Sequence, residues 1–448
     1  MELKLPYKSP MLDKTFTFGV ATSSYQIEGA TNVDGRCPSI WDTFCEKKGN
    51  IRDGSNGSVA CDHYSLWEGD IDLISSLNFD AYRLSFAWPR IIKDRKGTIN
   101  PAGLKFYSKI INRLLEKGIQ PFVTLYHWDL PQYLEDRGGW LNRETAYAFA
   151  EYANVVSDYF GDDITVYSTL NEPWCSSILS YSLGVHAPGY KNRKMAYQAA
   201  HHLLLGHGLA MQKLKKNAPQ AKHGIVLNFS PAFPATNSFA DKQATDLADA
   251  EFGHWFIQPL LEGKYSQTIM NVFPNDMPLI LPGDMDIISE PLDNLGINYY
   301  FRQVVKQADF SSSAPYEIVD QVDAEKTDMG WEIYPEGLYH ILKSLNETYK
   351  LPPVYITENG MACVDQVEGG KVIDLQRIEY FQNHLNAVHR AIVDGVSIKG
   401  YFAWSLMDNF EWAEGYLKRF GLVYIDYQNQ KRILKQSALA FRDFLAKR

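Results

Sequence analysis

A single (β/α)₈ TIM barrel is the fold class this sequence predicts, and three observations carry the prediction. Short apolar runs rich in β-branched and aromatic residues alternate with longer segments of helical period. The runs number eight. No Gly/Ser linker or composition break divides the 448 residues, so residues 1–448 read as one domain, although length alone would allow about three.

In order, the first strand is expected over Thr17 to Ala21 and the second over Ala81 to Phe86. Leu104, Tyr107, Ile110, Ile111, Leu114 and Leu115 then recur at three and four residues, the stripe of an amphipathic helix that stops at Gly118, a C′ glycine. Strands three to five are expected over Pro121 to Tyr126, Thr165 to Leu170 and Gly224 to Asn228, with a helix over Ala199 to Ala210 packing its Leu203, Leu204 and Leu205 side. The sixth strand, Leu295 to Tyr299, is followed by the least regular stretch, Asp309 to Asp328, which holds three consecutive serines and reads as a long loop. Pro335 opens a helix carrying Leu338, Ile341, Leu342 and Leu345. Strand seven is expected over Val354 to Thr357. A helix through Ile378, Phe381, Leu385, Val388 and Ile392 precedes Gly395, strand eight spans Gly400 to Trp404, and Leu439, Phe441, Phe444 and Leu445 mark a closing helix.

A net charge of -9 and a pI near 5.7 argue against a nucleic-acid partner, which needs a basic footprint. A neutral small molecule fits better. No stretch is long enough to span a bilayer, and the opening Met1 to Tyr7 lacks the apolar core of a secretory leader. Cys37, Cys45, Cys61, Cys175 and Cys363 are odd in number and contain no C-x-x-C pair, so reduced thiols in a cytoplasm are the expectation.

Barrel enzymes place their chemistry at the C-terminal ends of the strands. There the chain offers Gln26, Arg83, His127 with Trp128, Asn171 with Glu172, Asn298 with Tyr300, Glu358 with Asn359, and Trp404. Any one of these has a bland reading, since an isolated Glu is usually a solvated charge and a Trp or Tyr is more often core. Repetition at the same end of most strands shifts the odds toward function. Glu172 and Glu358, brought together by one fold, would form a carboxylate pair able to act on a glycosidic bond, one as acid and one as nucleophile. His201, His202 and His207 are not spaced as a helical i, i+4 zinc pair, and neither a P-loop nor a G-x-G-x-x-G fingerprint is present. No metal and no cofactor are expected.

Six segments, in order, resemble glycoside hydrolase family 1, the retaining β-glucosidases and β-galactosidases. They are Phe18 to Gly29, Tyr126 to Pro131, Asn171 to Trp174, Gly296 to Tyr300, Ile356 to Gly360 and Trp404 to Trp412, and the resemblance spans essentially the whole chain. It implies that Glu172 is the acid/base and Glu358 the nucleophile, with Arg83, Asn298 and Tyr300 in support. Arg83 would favour the ionised form of Glu358, and the charge of Glu358 would in turn keep the proton on Glu172. By the same resemblance Gln26, His127, Trp128, Asn171, Trp404, Glu411, Trp412 and Phe420 hold the sugar, with Trp404 as the stacking platform and Asn171 the donor to its 2-hydroxyl. The expected partners are small-molecule β-glucosides, including cello-oligosaccharides and aryl glucosides, and β-galactosidase or β-fucosidase side activity is implied as well.

Trp174, Leu179, Asn228 and Trp331 resemble residues that flank the leaving group. Glu411 would repel a 6-phosphate, so an unphosphorylated sugar is expected, and Lys418 reads as part of a structural or solvated loop rather than a phosphate ligand. Tyr167 and Ala87 depart from the family pattern outside the expected sugar contacts. Cys175, next to Trp174, reads as a small buried hydrophobe.

Overall fold

The computed structural model describes residues 2–309 and 314–448. Eight parallel strands close a barrel: β1 (Thr17–Ala21), β2 (Ala81–Ser85), β3 (Gln120–Tyr126), β4 (Val166–Asn171), β5 (Lys222–Phe229), β6 (Asn294–Tyr299), β7 (Val354–Asn359) and β8 (Ile398–Trp404). Each pairs with the next, and β8 returns to β1 with Trp404 opposite Ala21. All eight expected strands are present. β4 and β7 run on to Asn171 and Asn359, so Asn171, Glu358 and Asn359 stand at the last positions of these strands, while Glu172 follows β4 directly.

Inside the ring, Ala21, Ala81, Phe122, Val166 and Phe402 form a packed plug, with Trp404 and Phe420 continuing it toward the C-terminal end. Small residues on some strands make room for large ones on others. A Cβ on Gly19 would lie 2.2 Å from the Phe402 ring, so glycine is required there. Gly360, just past β7, faces the same constraint, with the Trp404 carbonyl oxygen 1.7 Å from where its Cβ would stand.

The expected helices appear as Pro101–Glu116, Pro335–Thr348, Leu375–Val393 and Gln436–Leu445. Gly118 sits at φ +71°, as a C′ glycine should. Leu115 corrects the first stripe: it is 43% exposed, because the buried arc is already filled by Leu104, Tyr107, Ile110, Ile111 and Leu114. The helix expected over Ala199 to Ala210 runs much further, over Arg193–Asn217, because its ends carry polar residues that periodicity does not score. Asp309 to Asp328 is not one loop. Tyr316–Ile318 pairs antiparallel with Gln303–Gln307, which also pairs with Ala232–Pro234. Three-residue strands are too short to leave a period in sequence. The serine run lies outside the described residues. Among the described residues no helix is long and apolar enough to cross a membrane.

A buried ionic network ties the segment after β8 to the rest of the shell. Lys435 bonds Asp365 and Asp408, both at 2.6 Å; Arg377 bonds Asp365 and Asp374; Arg419 bonds Asp408 at 2.6 Å. Lys435 and Asp408 are wholly buried. Removing one partner from such a network leaves uncompensated charge in the interior. Lys435→Met is therefore expected to destabilise the protein by about 3 kcal/mol, read as a lower unfolding midpoint at fixed scan rate; an unchanged midpoint would show that the network contributes nothing net.

Candidate active site

The two glutamates are aimed by local irregularities at the strand ends. The pairing of β4 with β5 slips between Ser168 and Asn171, and that of β7 with both neighbours slips after Ile356. Such bulges re-aim the side chains beside them. Glu172 itself has φ +48°, Trp128 φ +76° and Trp412 φ +49°. Three bulky residues in the left-handed region is a costly arrangement, and all three line one cavity of about 380 Å³ at the C-terminal mouth of the barrel.

Glu358 is held on both oxygens. Arg83, from β2, donates to Oε1 at 2.6 Å, and the Tyr300 hydroxyl donates to Oε2 at 2.7 Å. The same guanidinium donates to Asn171 Oδ1 at 2.7 Å, where Asn298 also donates at 3.1 Å. Asn298 gives its second amide contact to Glu172 Oε1 at 2.7 Å, and its own orientation is fixed because its carbonyl accepts from Thr357 at 2.6 Å. Arg83, Asn171 and Asn298 thus form a continuous chain between the two carboxyls. Since Asn171 Oδ1 already accepts two donors, its amide nitrogen must donate to His127 Nε2 at 3.1 Å, which puts the ring proton on Nδ1. Burial and the nearby Arg83 hold His127 neutral, far below its ordinary pKa.

Burial, and after it the charge of Glu358, push the Glu172 carboxyl well above the ordinary carboxylate range, while hydrogen bonds from Asn298 and Cys175 oppose them. The order of causes corrects the sequence reading, which gave the charge of Glu358 as the source of the shift. Glu411 is likewise pushed up to about 8, by burial first and then by Glu358 and Glu172.

The expected sugar-binding residues divide into two sets. His127, Trp128, Trp404, Glu411, Trp412 and Phe420 line the cavity. Gln26 and Asn171 lie behind that wall, fully buried: the Gln26 amide nitrogen donates to Asn409 and to the Phe410 carbonyl, both at 2.9 Å, and its carbonyl accepts from Ser23 at 2.6 Å. Trp128 also has a structural task, its indole N–H donating to the Asn171 carbonyl at 2.9 Å. Trp412 sits in an aromatic nest with Trp128, Trp41 and Tyr25.

On the other side, Trp174, Leu179, Asn228 and Trp331 all line the cavity. Trp174 stacks on Phe252 and Trp331 on Phe301, and these four rings are shared with an adjoining cleft of about 680 Å³. Lys418 is tied to Asp328, through its carbonyl oxygen and at 3.2 Å to its carboxylate, and does not line the cavity. His201 bonds Tyr265 and Asp284, His202 the Trp140 carbonyl and His207 Thr169, so all three serve packing. Among the described residues no group of three or more His, Cys, Asp or Glu could hold a metal ion.

Sequence reasoning missed His186, Phe252 and Phe301 in the cavity wall. His186 and Phe301 sit in irregular connections, and Phe252 in a five-residue π-helical turn, Ala250–His254, too short to leave a period in sequence. It also missed a polar contact of Cys175, whose sulfur lies 3.1 Å from Glu172 Oε2. That signal was available: Pro173 opens the helical segment that continues π-wound over Cys175–Leu183, Glu172 stands just before it, and the residue preceding a helix meets the third helical position, here Cys175, whose backbone N–H donates to the Glu172 carbonyl at 2.9 Å.

A barrel whose mouth holds one carboxyl kept protonated by burial and another gripped by a guanidinium and a phenol is equipped as a glycoside hydrolase. The comparisons agree and narrow the class. A model of glycosyl hydrolase family 1 matches residues 8–448. β-Glucosidase A of Thermotoga maritima is 47% identical over 426 residues, covering 94% of this chain and 95% of that protein. A bifunctional β-D-glucosidase/β-D-fucosidase of Bifidobacterium breve is 46% identical over 455 residues, 97% of this chain and 98% of that one. A solved T. maritima family 1 glycoside hydrolase, in complex with a cyclophellitol analogue transition state mimic, superposes with a TM-score of 0.95 at 46% identity over 97% of this chain and 98% of that one. The chain belongs to glycosyl hydrolase family 1.

Proposed function

We propose that this hydrolase is a retaining, exo-acting β-glucosidase that removes terminal non-reducing β-D-glucosyl residues from cello-oligosaccharides and aryl glucosides, with β-fucosidase or β-galactosidase side activity. The observation that carries the reading is the unequal partnering of the two carboxyls across one cavity. Glu358, with both oxygens oriented by cationic or hydroxyl donors, suits attack on the anomeric carbon. Glu172, kept protonated by burial, suits donation to the departing oxygen.

In the first half-reaction a Glu358 oxygen bonds to C1, the C1–O bond breaks, and the Glu172 proton leaves with the aglycone. In the second, Glu172 takes a proton from water, the water oxygen bonds to C1, and Glu358 is released as carboxylate. Once Glu358 is esterified its charge no longer raises the Glu172 pKa, which favours the change from acid to base. An alcohol in place of water would give transglycosylation.

Support for an unphosphorylated sugar comes from the lining, which includes Glu172, Glu358, Glu411 and Glu414 and, among the described residues, no Lys or Arg. The end walled by Trp404, Glu411, Trp412 and Phe420 and the opposite end open to the larger cleft fit removal of a terminal residue. The names of the relatives favour glucose and admit fucose. A cytoplasmic location is part of the same reading, consistent with five free cysteines.

Proton NMR of nitrophenyl β-glucoside turnover tests it. β-Glucose is expected to appear first, before mutarotation. α-Glucose first would mean an inverting site, and no turnover would remove the substrate assignment.

A further inference from the structure

We propose that Cys175 is a positioning residue for the acid/base glutamate, its thiol orienting Glu172 Oε2 as the oxygen that carries the transferred proton. The inference rests on Glu172 as proton donor and goes beyond it by naming which oxygen delivers the proton and what holds that oxygen.

The proton's place follows from the partners of the carboxyl. Glu172 Oε1 accepts the Asn298 amide N–H at 2.7 Å, and Asn298 cannot be turned to present its carbonyl instead, because that carbonyl accepts from Thr357 and the amide nitrogen also serves Asn171 Oδ1. An oxygen facing an N–H at that distance has little room for a proton of its own. The acidic proton therefore sits on Oε2. The atom Oε2 meets is Cys175 Sγ, at 3.1 Å, and the same sulfur has Asn228 Nδ2 at 3.8 Å.

A thiol is suited to this place because it is both a weak donor and a weak acceptor. While Glu172 is protonated, its O–H can point at the sulfur lone pair, which keeps Oε2 aimed yet yields easily when a glycosidic oxygen arrives. After the proton has left, the S–H can turn to donate to the carboxylate. Burial and the neighbouring Glu172 hold the Cys175 thiol far above its ordinary pKa, so it stays S–H throughout. An alcohol would bind the ionised form more strongly, and an apolar side chain would bind neither.

The charged and titratable groups that share the cavity or a direct interaction with Glu172 are Glu358 from β7, Arg83 from β2, His127 after β3, His186 after β4, Tyr300 after β6, Glu411 and Glu414 after β8, and Cys175 on its own segment. Only the last is altered in the test. Wild type, Cys175→Val and Cys175→Ser are compared by the pH dependence of kcat/KM on an alkyl and a dinitrophenyl β-glucoside. The basic limb falls as Glu172 loses its proton. Removing a donor to the ionised form raises that pKa, so C175V should move the limb to higher pH by roughly half a unit, and C175S should move it lower.

C175V should also cut kcat on the alkyl glucoside by roughly fivefold and on the dinitrophenyl glucoside by less than about twofold. Coincident basic limbs in all three proteins would overturn the proposal, because a thiol that only fills space is replaced by valine without moving a titration. Glu172→Ala, measured alongside, keeps the underlying assignment separate: if its loss is the same for both leaving groups, the acid role fails whatever the cysteine variants do.

Discussion

Glu358→Ala is expected to reduce hydrolysis by about 10⁴-fold or more on every substrate, because on the proposed mechanism it removes the atom that bonds to C1. No neighbour can take its place. Glu172 is held by Asn298 and Cys175 with its carboxyl pushed above the ordinary range by burial, and Glu411 is pushed up to about 8, by its own burial first. The truncation also leaves Arg83, which is 1% exposed, with Asn171 as its one polar side-chain partner among the described residues, and the Tyr300 hydroxyl without the acceptor it has in Glu358. A small anion such as azide should occupy the vacated, cation-lined space and attack β-glucosyl fluoride from that face, with fluoride leaving from the other. The product expected by NMR is α-glucosyl azide. A variant retaining more than about a hundredth of wild-type rate, beyond what trace contamination explains, would remove Glu358 from the nucleophile role.

How much of this could be read from residues alone differs by element. The eight strands were legible because their apolar runs are five to eight residues long in the fold and bounded by turn residues; the ends moved where pairing extends a strand past its apolar stretch, as β5 does to Lys222–Phe229, or stops one residue short of it, as at Ser85 of β2 and Val166 of β4. Leu115 failed because a stripe wider than the buried arc looks the same in sequence as one that fits it. The Ala232–Pro234 sheet failed because short strands have no period. In the site, the identity of the strand-end residues was legible and their geometry was not. Local preference argues against positive φ at Trp128, Glu172 and Trp412, so tertiary packing must impose it, and no single-residue rule anticipates that.

The Glu172 shift shows the same limit. Charge on Glu358 could be inferred from a pair of motifs, whereas the larger cause, burial, depends on Trp174, Phe252, Trp331 and Trp412 closing over the cavity from four separate connections. Cys175 was judged by composition as a small apolar residue, which its burial supports. Its contact with Glu172 comes from the helical turn that Pro173 begins, so residue type alone could not show it.

Glu172→Ala is expected to divide substrates by leaving group. An alkyl glucoside or cellobiose must receive a proton as the bond breaks, and without the acid its glycosylation should slow by about 10²- to 10⁴-fold. A dinitrophenolate leaves without help, so its glycosylation should change by less than about tenfold. The second half-reaction then suffers instead, because nothing takes the proton from water. Glucosyl-Glu358 should accumulate, giving a burst of dinitrophenolate equal to the enzyme followed by slow turnover, with an apparent KM far below wild type. Azide needs no general base and should restore turnover, and because it displaces Glu358 from the opposite face its product should be β-glucosyl azide. The pH profile carries an independent sign. With Glu172 as the proposed acid its protonated form is the active one, so wild-type activity should be lost as pH rises through a pKa lifted above the ordinary carboxylate range, and the variant should lack that basic limb on the dinitrophenyl substrate. Equal losses on alkyl and dinitrophenyl glucosides, with the limb retained, would assign the proton transfer to another group.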